Sequence, residues 1–143
     1  MSYSYLEDVA IADIAFVARG RSIEELFAAA VDATTNVMVE ELAAVRDLER
    51  ITLRLENDSL DLLLFDLLNE LVYLKDVRGL LLRSRTIRFG KKGPSFALEA
   101  ELYGEQLDPE RHPLRADVKA VTLHRFGVRQ IGNEWEATVV LDI

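Results

Sequence analysis

The chain has 143 residues, with 25 acidic against 17 basic side chains, a formal net charge of −8, half of its positions hydrophobic, and no cysteine. That length suits one domain over residues 1–143 with a single core, and the missing cysteine excludes disulfides, thiolate zinc sites and a cysteine nucleophile. The acid excess argues against strong direct nucleic-acid binding through a general positive field, because phosphate contacts supply most of that affinity.

No stretch approaches the roughly 18 consecutive apolar residues of a spanning helix. The segment Met1 to Asp8 lacks the basic start and apolar run of a signal peptide. A cytoplasmic protein with no membrane partner is therefore expected.

In chain order, Val9 to Ala18 contains one polar residue, Asp13, and its second half has the Ile, Phe and Val content of a strand. After a turn at Gly20, Ser22-Ile-Glu-Glu25 forms a capping box, so a helix is predicted from there to Val37 or Met38. Its apolar positions Ile23, Leu26, Phe27, Ala30, Val31 and Thr34 recur at three and four residues, which presents one face to a sheet. Ile51, Leu53 and Leu55 alternate with Thr52, Arg54 and Glu56 as in a half-buried strand. Asn57-Asp58-Ser59 then caps a second helix, Leu60 to about Val77, that closes at Gly79 with Lys75 and Arg78 in its last turn.

Beyond Leu80 the pattern is strand-like. Thr86–Phe89 and Phe96–Leu102 flank the turn Gly90-Lys-Lys-Gly-Pro94, an irregular link covers 104–116, and Val118–His124, Phe126–Ile131 and Trp135–Ile143 are further strands, the last two joined at Gly132-Asn133. The sum is an α+β domain: a two-layer sandwich of two helices on a mixed, mainly antiparallel sheet of about six strands.

Two aspartates stand alone in apolar strands, Asp13 in VAIADIAFVA and Asp142 in ATVVLDI. Burying a carboxylate without a partner is unfavourable, so such positions call either for exposure at a strand end or for a nearby cation. If the first and last strands are neighbours, Asp13, Asp142 and the Ile143 carboxylate converge on a hard divalent cation, which takes oxygen ligands. Arg111-His112 and His124 lack a nucleophile partner in the sequence and read as packing or edge residues rather than acid–base groups. The run Arg78, Arg83, Arg85, Arg88, Lys91 and Lys92 contains no acid between Asp76 and Glu99; it offers either a contact for an acidic partner or RNA phosphate, or a solvated hairpin. No Walker loop, G-x-G-x-x-G, H-E-x-x-H or G-x-S-x-G occurs. A stand-alone hydrolase using the two aspartates as an acid–base pair would require a deep pocket between them.

The order and spacing of several segments carry a family resemblance. They are Ala12-Asp13-Ile14 followed by RSIEELFAAA, then DLLLFDLLNELVYL, ERHPLRADVKAVTLH at 110–124, and the ending GNEWEATVVLDI. Over nearly its whole length the chain resembles the archease family. The resemblance implies a small non-catalytic cofactor protein for a GTP-dependent tRNA-splicing ligase, promoting its guanylylation and multiple turnover through a metal-binding acidic site. An alternative implied function is a chaperone-like modulator of an RNA-modifying enzyme such as a tRNA methyltransferase. By motif, the second aspartate of the family's Asp-His-Thr-Ala-Asp falls on Asp13 and its C-terminal aspartate on Asp142, with Ile143 contributing a terminal or main-chain oxygen. The implied cofactor is a divalent ion, calcium or else magnesium or manganese. An ungapped match puts Val9-Ala10-Ile11 where the family has Asp-His-Thr, leaving Glu7 and Asp8 as the neighbouring acids.

Overall fold

A computed structural model describes residues 1–7 and 13–143. The chain runs through β1 (Ser2–Leu6), β2 (Asp13–Gly20), α1 (Ile23–Met38), a single 3-10 turn at Leu42–Ala44, β3 (Glu49–Asn57), α2 (Leu60–Arg78), β4 (Leu80–Lys92), β5 (Ser95–Gln106), β6 (Ala120–Ile131) and β7 (Glu134–Asp142). Val9, Ala10 and Ile11, the departure from the family motif, and Asp8 beside them lie outside the described residues.

Both helices begin and end as their caps dictate. The Ser22 hydroxyl accepts from the Glu25 N–H at 3.1 Å. The Glu25 carboxylate reaches back to the Arg21 N–H at 2.8 Å, one residue ahead of the Ser22 N–H that a regular capping box engages. Ser59 accepts from the Leu62 N–H at 3.4 Å and is itself held by Asn57, whose side-chain oxygen accepts from the Ser59 N–H at 3.1 Å. α2 stops at Gly79, whose φ of 65° is the left-handed conformation that glycine adopts without a Cβ penalty.

The class is the expected α+β one, and the strands among the described residues are seven in two sheets rather than about six in one. The order is β1-β2-β7-β6 in the four-stranded sheet and β3-β5-β4 in the three-stranded one, and every strand pairing among the described residues is antiparallel. The expected parallel component is absent from these pairings. Two helical crossovers connect the strands: α1 carries the chain from β2 of the four-stranded sheet to β3 of the three-stranded one, and α2 returns it from β3 to β4 within the three-stranded sheet, across β5. α1 contacts β2 of one sheet and β4 of the other, and α2 contacts β6 as well as β3, β4 and β5. Phe27 of α1 meets Phe89 of β4 edge to face at 4.8 Å. Leu63, Leu64, Leu67 and Leu68 of α2 are fully buried, each contributing about 1.5–3 kcal/mol from burial.

Four local differences from the sequence expectation have identifiable causes. β1 has no aliphatic run; its alternating tyrosines face α1, where Tyr5 donates to the Ala33 carbonyl at 3.1 Å and Tyr3 to the Asn36 side chain at 3.2 Å. The β4–β5 turn shrinks to Gly93-Pro94 because Lys91 and Lys92 pair with Phe96 and Ser95. β5 continues through Gly104 to Gln106: a Cβ on Gly104 would lie 1.7 Å from the Leu81 carbonyl oxygen, so its glycine permits a close strand approach rather than ending the strand. The two strands expected at 118–124 and 126–131 are one strand, β6, with a bulge between Thr122 and Gly127.

Candidate functional site

β2 and β7 are neighbours, and their register sets Asp13 opposite Asp142. Directly opposed residues of an antiparallel pair project to the same side, with Cβ atoms about 4.5–5.5 Å apart. That side is the one away from the core, because the flanking Ile14, Phe16, Val139 and Leu141 pack into or against it. The neighbouring strand adds Ala120, whose Cα partner is also Asp142, and the Lys119 N–H donates to the Asp142 carbonyl at 2.8 Å. Asp13, Asp142 and Ile143 are each half-buried. No basic side chain among the described residues forms an ion pair with either aspartate.

The donor set is hard and oxygen-only: two carboxylates and the main-chain oxygens of Ile143. No group of three His, Cys, Asp or Glu side chains able to hold a metal occurs among the described residues. Calcium takes six to eight oxygens and magnesium six, so two carboxylates and Ile143 supply only part of either coordination shell. Asp13 and Asp142 line none of five cavities formed among the described residues. The deep pocket that a hydrolytic acid–base pair would need is not among them.

His112 and Arg111 belong to a different arrangement, centred on an acid that the local sequence pattern leaves unmarked. Glu105 sits near the end of β5 with its side chain only 4 % exposed. Its carboxylate accepts from the Arg46 backbone N–H at 2.6 Å, from the Arg46 guanidinium at 3.0 Å and from Arg111 at 2.6 Å. The His112 ring is fully buried; its Nδ1 accepts from the Asp108 N–H at 2.9 Å, which leaves Nε2 to carry the proton, 3.4 Å from Glu105. Burial pushes the Glu105 carboxyl upward, but the hydrogen bonds from Arg46 and His112 and the charge of Arg111 outweigh it and bring the carboxyl down to about 2. The network ties the 108–115 link to the segment before β3. The network contains no nucleophile, and the His112 ring is sealed inside it as a packing residue, while its outer side, at Arg46, Glu105, Asp108 and Arg111, lines a cavity open to solvent. His124 is exposed on the β6 bulge.

The basic run is neutralised within the chain. Arg78 pairs with Glu49, Arg83 with the buried Asp32, Arg85 with Asp47, Arg88 with Glu99 and Glu101, and Lys92 with Glu56, while Lys91 lies 3.9 Å above the Phe96 ring. Arg88 and Lys92 of β4 meet acids of β5 and β3 on an exposed sheet face, whereas Arg83 is tied inward to Asp32 of α1 and Arg85 to Asp47 just before β3. No helix among the described residues is long and apolar enough to cross a membrane.

The chain is similar to known proteins over nearly its whole length. Residues 3–143 match the model of the Archease protein family (MTH1598/TM1083). The chain is 35 % identical over 137 residues to protein archease of Pyrococcus abyssi, covering 92 % of this chain and 93 % of that one. It is 34 % identical over 142 residues to protein archease of Methanosarcina mazei, covering 99 % and 95 %. The solution structure of Methanobacterium thermoautotrophicum protein 1598 superposes with a TM-score of 0.85 at 27 % identity, covering 99 % of this chain and 98 % of that one. The crystal structure of a Thermotoga maritima archease, named a possible chaperone, shares the fold with a TM-score of 0.57 at 23 % identity, covering 94 % and 93 %. With a family match over nearly its whole length, and relatives above 30 % identity covering nine-tenths of it or more, the chain belongs to the archease family.

Proposed function

We propose that this protein is a non-catalytic activator of a GTP-dependent tRNA-splicing ligase, promoting ligase guanylylation and multiple turnover through its acidic site. The observation that carries the reading is the register of Asp13 against Asp142 on one face of the β2–β7 ladder. Asp13, Asp142 and a main-chain oxygen of Ile143 would hold a divalent cation, calcium or else magnesium or manganese. Held there, such a cation would supply a positive charge able to attract oxygen ligands of the ligase.

The chain's own contribution is electrostatic and conformational. An acidic domain of net charge −8 is drawn to a basic, RNA-handling cleft. It shifts the ligase toward the guanylylation-competent state by binding that state more tightly. The test is the rate of guanylylation of the cognate ligase at substoichiometric amounts of this protein. Stimulation that is lost in Asp13→Asn and in Asp142→Asn supports the reading; full stimulation by both variants sinks the acidic-site part.

A second reading has its own observation. Leu62, Tyr73 and Val77 are exposed on α2, and at helical spacing they share a stripe with Asp66 and Glu70. That stripe suits a chaperone-like module docking on an RNA-modifying enzyme such as a tRNA methyltransferase. Recovery of a methyltransferase without ligase in a pull-down from the source cell would favour it.

A further inference from the structure

Among the described residues the two sheets end in four edge strands, β1, β6, β4 and β3, and three of these edges are blunted. β1 is only five residues long. β6 carries the bulge between Thr122 and Gly127, holds Arg125 in the left-handed region at a φ of 57°, and donates its Val128 N–H to the Asp61 carboxylate of α2 at 3.0 Å. On β4 the register slips between Ser84 and Thr86, the Ser84 N–H donates to the Asp32 carboxylate at 3.2 Å, and the Leu82 carbonyl accepts from the Thr35 hydroxyl at 2.5 Å, so α1 covers that edge. Shortness, bulges and covering side chains are the usual means by which a sheet edge is kept from taking up another strand.

β3 has none of these devices. It runs for nine residues, Glu49–Asn57, in unbroken register with β5 and without proline. Among the described residues no strand pairs with its outer side, and neither a loop nor a side chain takes up its main-chain groups between Arg50 and Glu56. Alternate N–H and C=O groups therefore point outward from the sheet. The apolar row is also incomplete there: Leu98, Ala100 and Leu102 of β5 are buried, whereas their register partners Leu55, Leu53 and Ile51 on β3 are only half-buried.

We propose that β3 is a self-pairing edge: a second copy of this chain adds its own β3 antiparallel to the first, about a two-fold axis at Leu53, joining two three-stranded sheets into one of six strands. The residues select both the occupant and the register. With Leu53 opposite Leu53, Ile51 meets Leu55, Thr52 meets Arg54 and Arg50 meets Glu56, and the two-fold axis repeats each pair. The apolar row is matched to itself, and both ends close on opposite charges. A shift of two residues in one direction sets Arg50 against Arg54, and in the other sets Arg54 against itself; like charges directly opposite are unfavourable. The registers between these turn the apolar row of one copy to the solvent side of the other. An unrelated extended segment would have to reproduce this order of charged and apolar residues, which a second copy supplies. The two-fold pairing is closed, so it stops at two copies. Within one chain Arg50, Arg54 and Glu56 pair with Asp47, Glu99 and Lys92, but these are exposed ion pairs, weak enough to be shared or exchanged. Asp13 and Asp142 belong to the other sheet, so pairing through β3 does not use them and stands independently of the activator reading.

The test is sedimentation equilibrium of the full chain over micromolar to submillimolar concentrations, in about 0.15 M salt so that the net negative charge of each copy is screened beyond about 8 Å. The wild type is compared with Arg50→Glu, Glu56→Arg and the double variant. Both side chains are exposed, so all three variants keep the fold. The wild type is expected to approach twice the monomer mass. Either single charge reversal sets like charges opposite at both ends of the pairing and weakens association about tenfold, and combining the two restores it. Amide exchange between Arg50 and Glu56 should slow as the concentration rises, while exchange in β6 does not change. A wild type that stays monomeric overturns the inference, as does association that both single reversals leave intact or that the double variant fails to recover. Protection of β3 that appears only when the ligase is added assigns the edge to that partner and equally overturns it. A dimer of this kind that leaves ligase guanylylation unstimulated removes the activator reading and leaves this inference standing.

Discussion

Asp13 and Asp142 are register partners at the end of the β2–β7 ladder, two carboxylates opposite one another with no basic side chain among the described residues paired to either. Like charges directly opposite on a sheet are destabilising by roughly 0.2–1 kcal/mol, and the divalent cation proposed above would relieve that repulsion.

The first prediction separates these two states. In chelator, Asp142→Asn melts slightly higher than the wild type, because a repulsion of that size is removed. With millimolar calcium or magnesium the order reverses: the wild type gains stability by ligand binding to the native state, and the variant does not. Differential scanning calorimetry with and without cation reads both effects. A wild type whose melting ignores every divalent cation tried would remove the metal from the site.

A second prediction concerns Glu105. Because its folded carboxyl lies near 2, below an ordinary glutamate in the unfolded chain, the stabilisation it provides is fully present above about pH 4.5 and is lost as the pH falls toward 2. The shift corresponds to at most about 3 kcal/mol. Glu105→Gln keeps the shape but leaves the Arg46 and Arg111 guanidiniums without their counter-charge. It is expected to lose about 2–3 kcal/mol at neutral pH and to flatten the acid limb of stability measured by urea denaturation between pH 2 and 5.

This network shows why some of the molecule was legible in the chain and some was not. The helices were readable because their signals are local: Ser22, Ser59 and Gly79 act within one turn of themselves. The isolation of Asp13 and Asp142 was readable for the same reason, as single acids in apolar runs. Their adjacency depends on which strands pair, and local period carries no such information. Glu105 gains its meaning from Arg46, 59 residues away, and from Arg111 across an irregular link. β1 was hidden because Ser-Tyr alternation has the strand period without the aliphatic content. The β6 bulge read as a break because its four residues interrupt the alternation on both sides.

Gly104 supplies a third prediction. A methyl group there would stand 1.7 Å from the Leu81 carbonyl oxygen and 2.8 Å from the Leu81 carbonyl carbon. Both are backbone atoms of β4, which cannot rotate away as a side chain would. Gly104→Ala therefore has to separate β4 from β5 near Glu105 or bend one of them, at about 3 kcal/mol. Amide exchange should report it first, with faster exchange around Leu81, Leu82 and Glu105 than in the β2–β7 ladder. Uniform wild-type exchange would show that the strands absorb the methyl group freely.

The last prediction concerns the alkaline side and the element that local pattern hid. Burial pushes the Tyr5 phenol up, and the neighbouring Tyr3 adds to it, to about 12. The neutral hydroxyl donates to the Ala33 carbonyl of α1, a bond the phenolate could not make. Folded Tyr5 holds its proton more tightly than the unfolded chain, so its contribution is complete below about pH 10 and disappears as the pH rises toward 12. Alkaline melting should accordingly begin with β1 leaving α1. Tyr5→Phe keeps the ring against Phe16 but removes the hydroxyl, so it should cost about 1 kcal/mol at neutral pH and reduce the loss of stability between pH 10 and 12. Titration at 295 nm tests the assignment directly: one tyrosine of the four ionises last in the wild type, and that late step is missing in the variant.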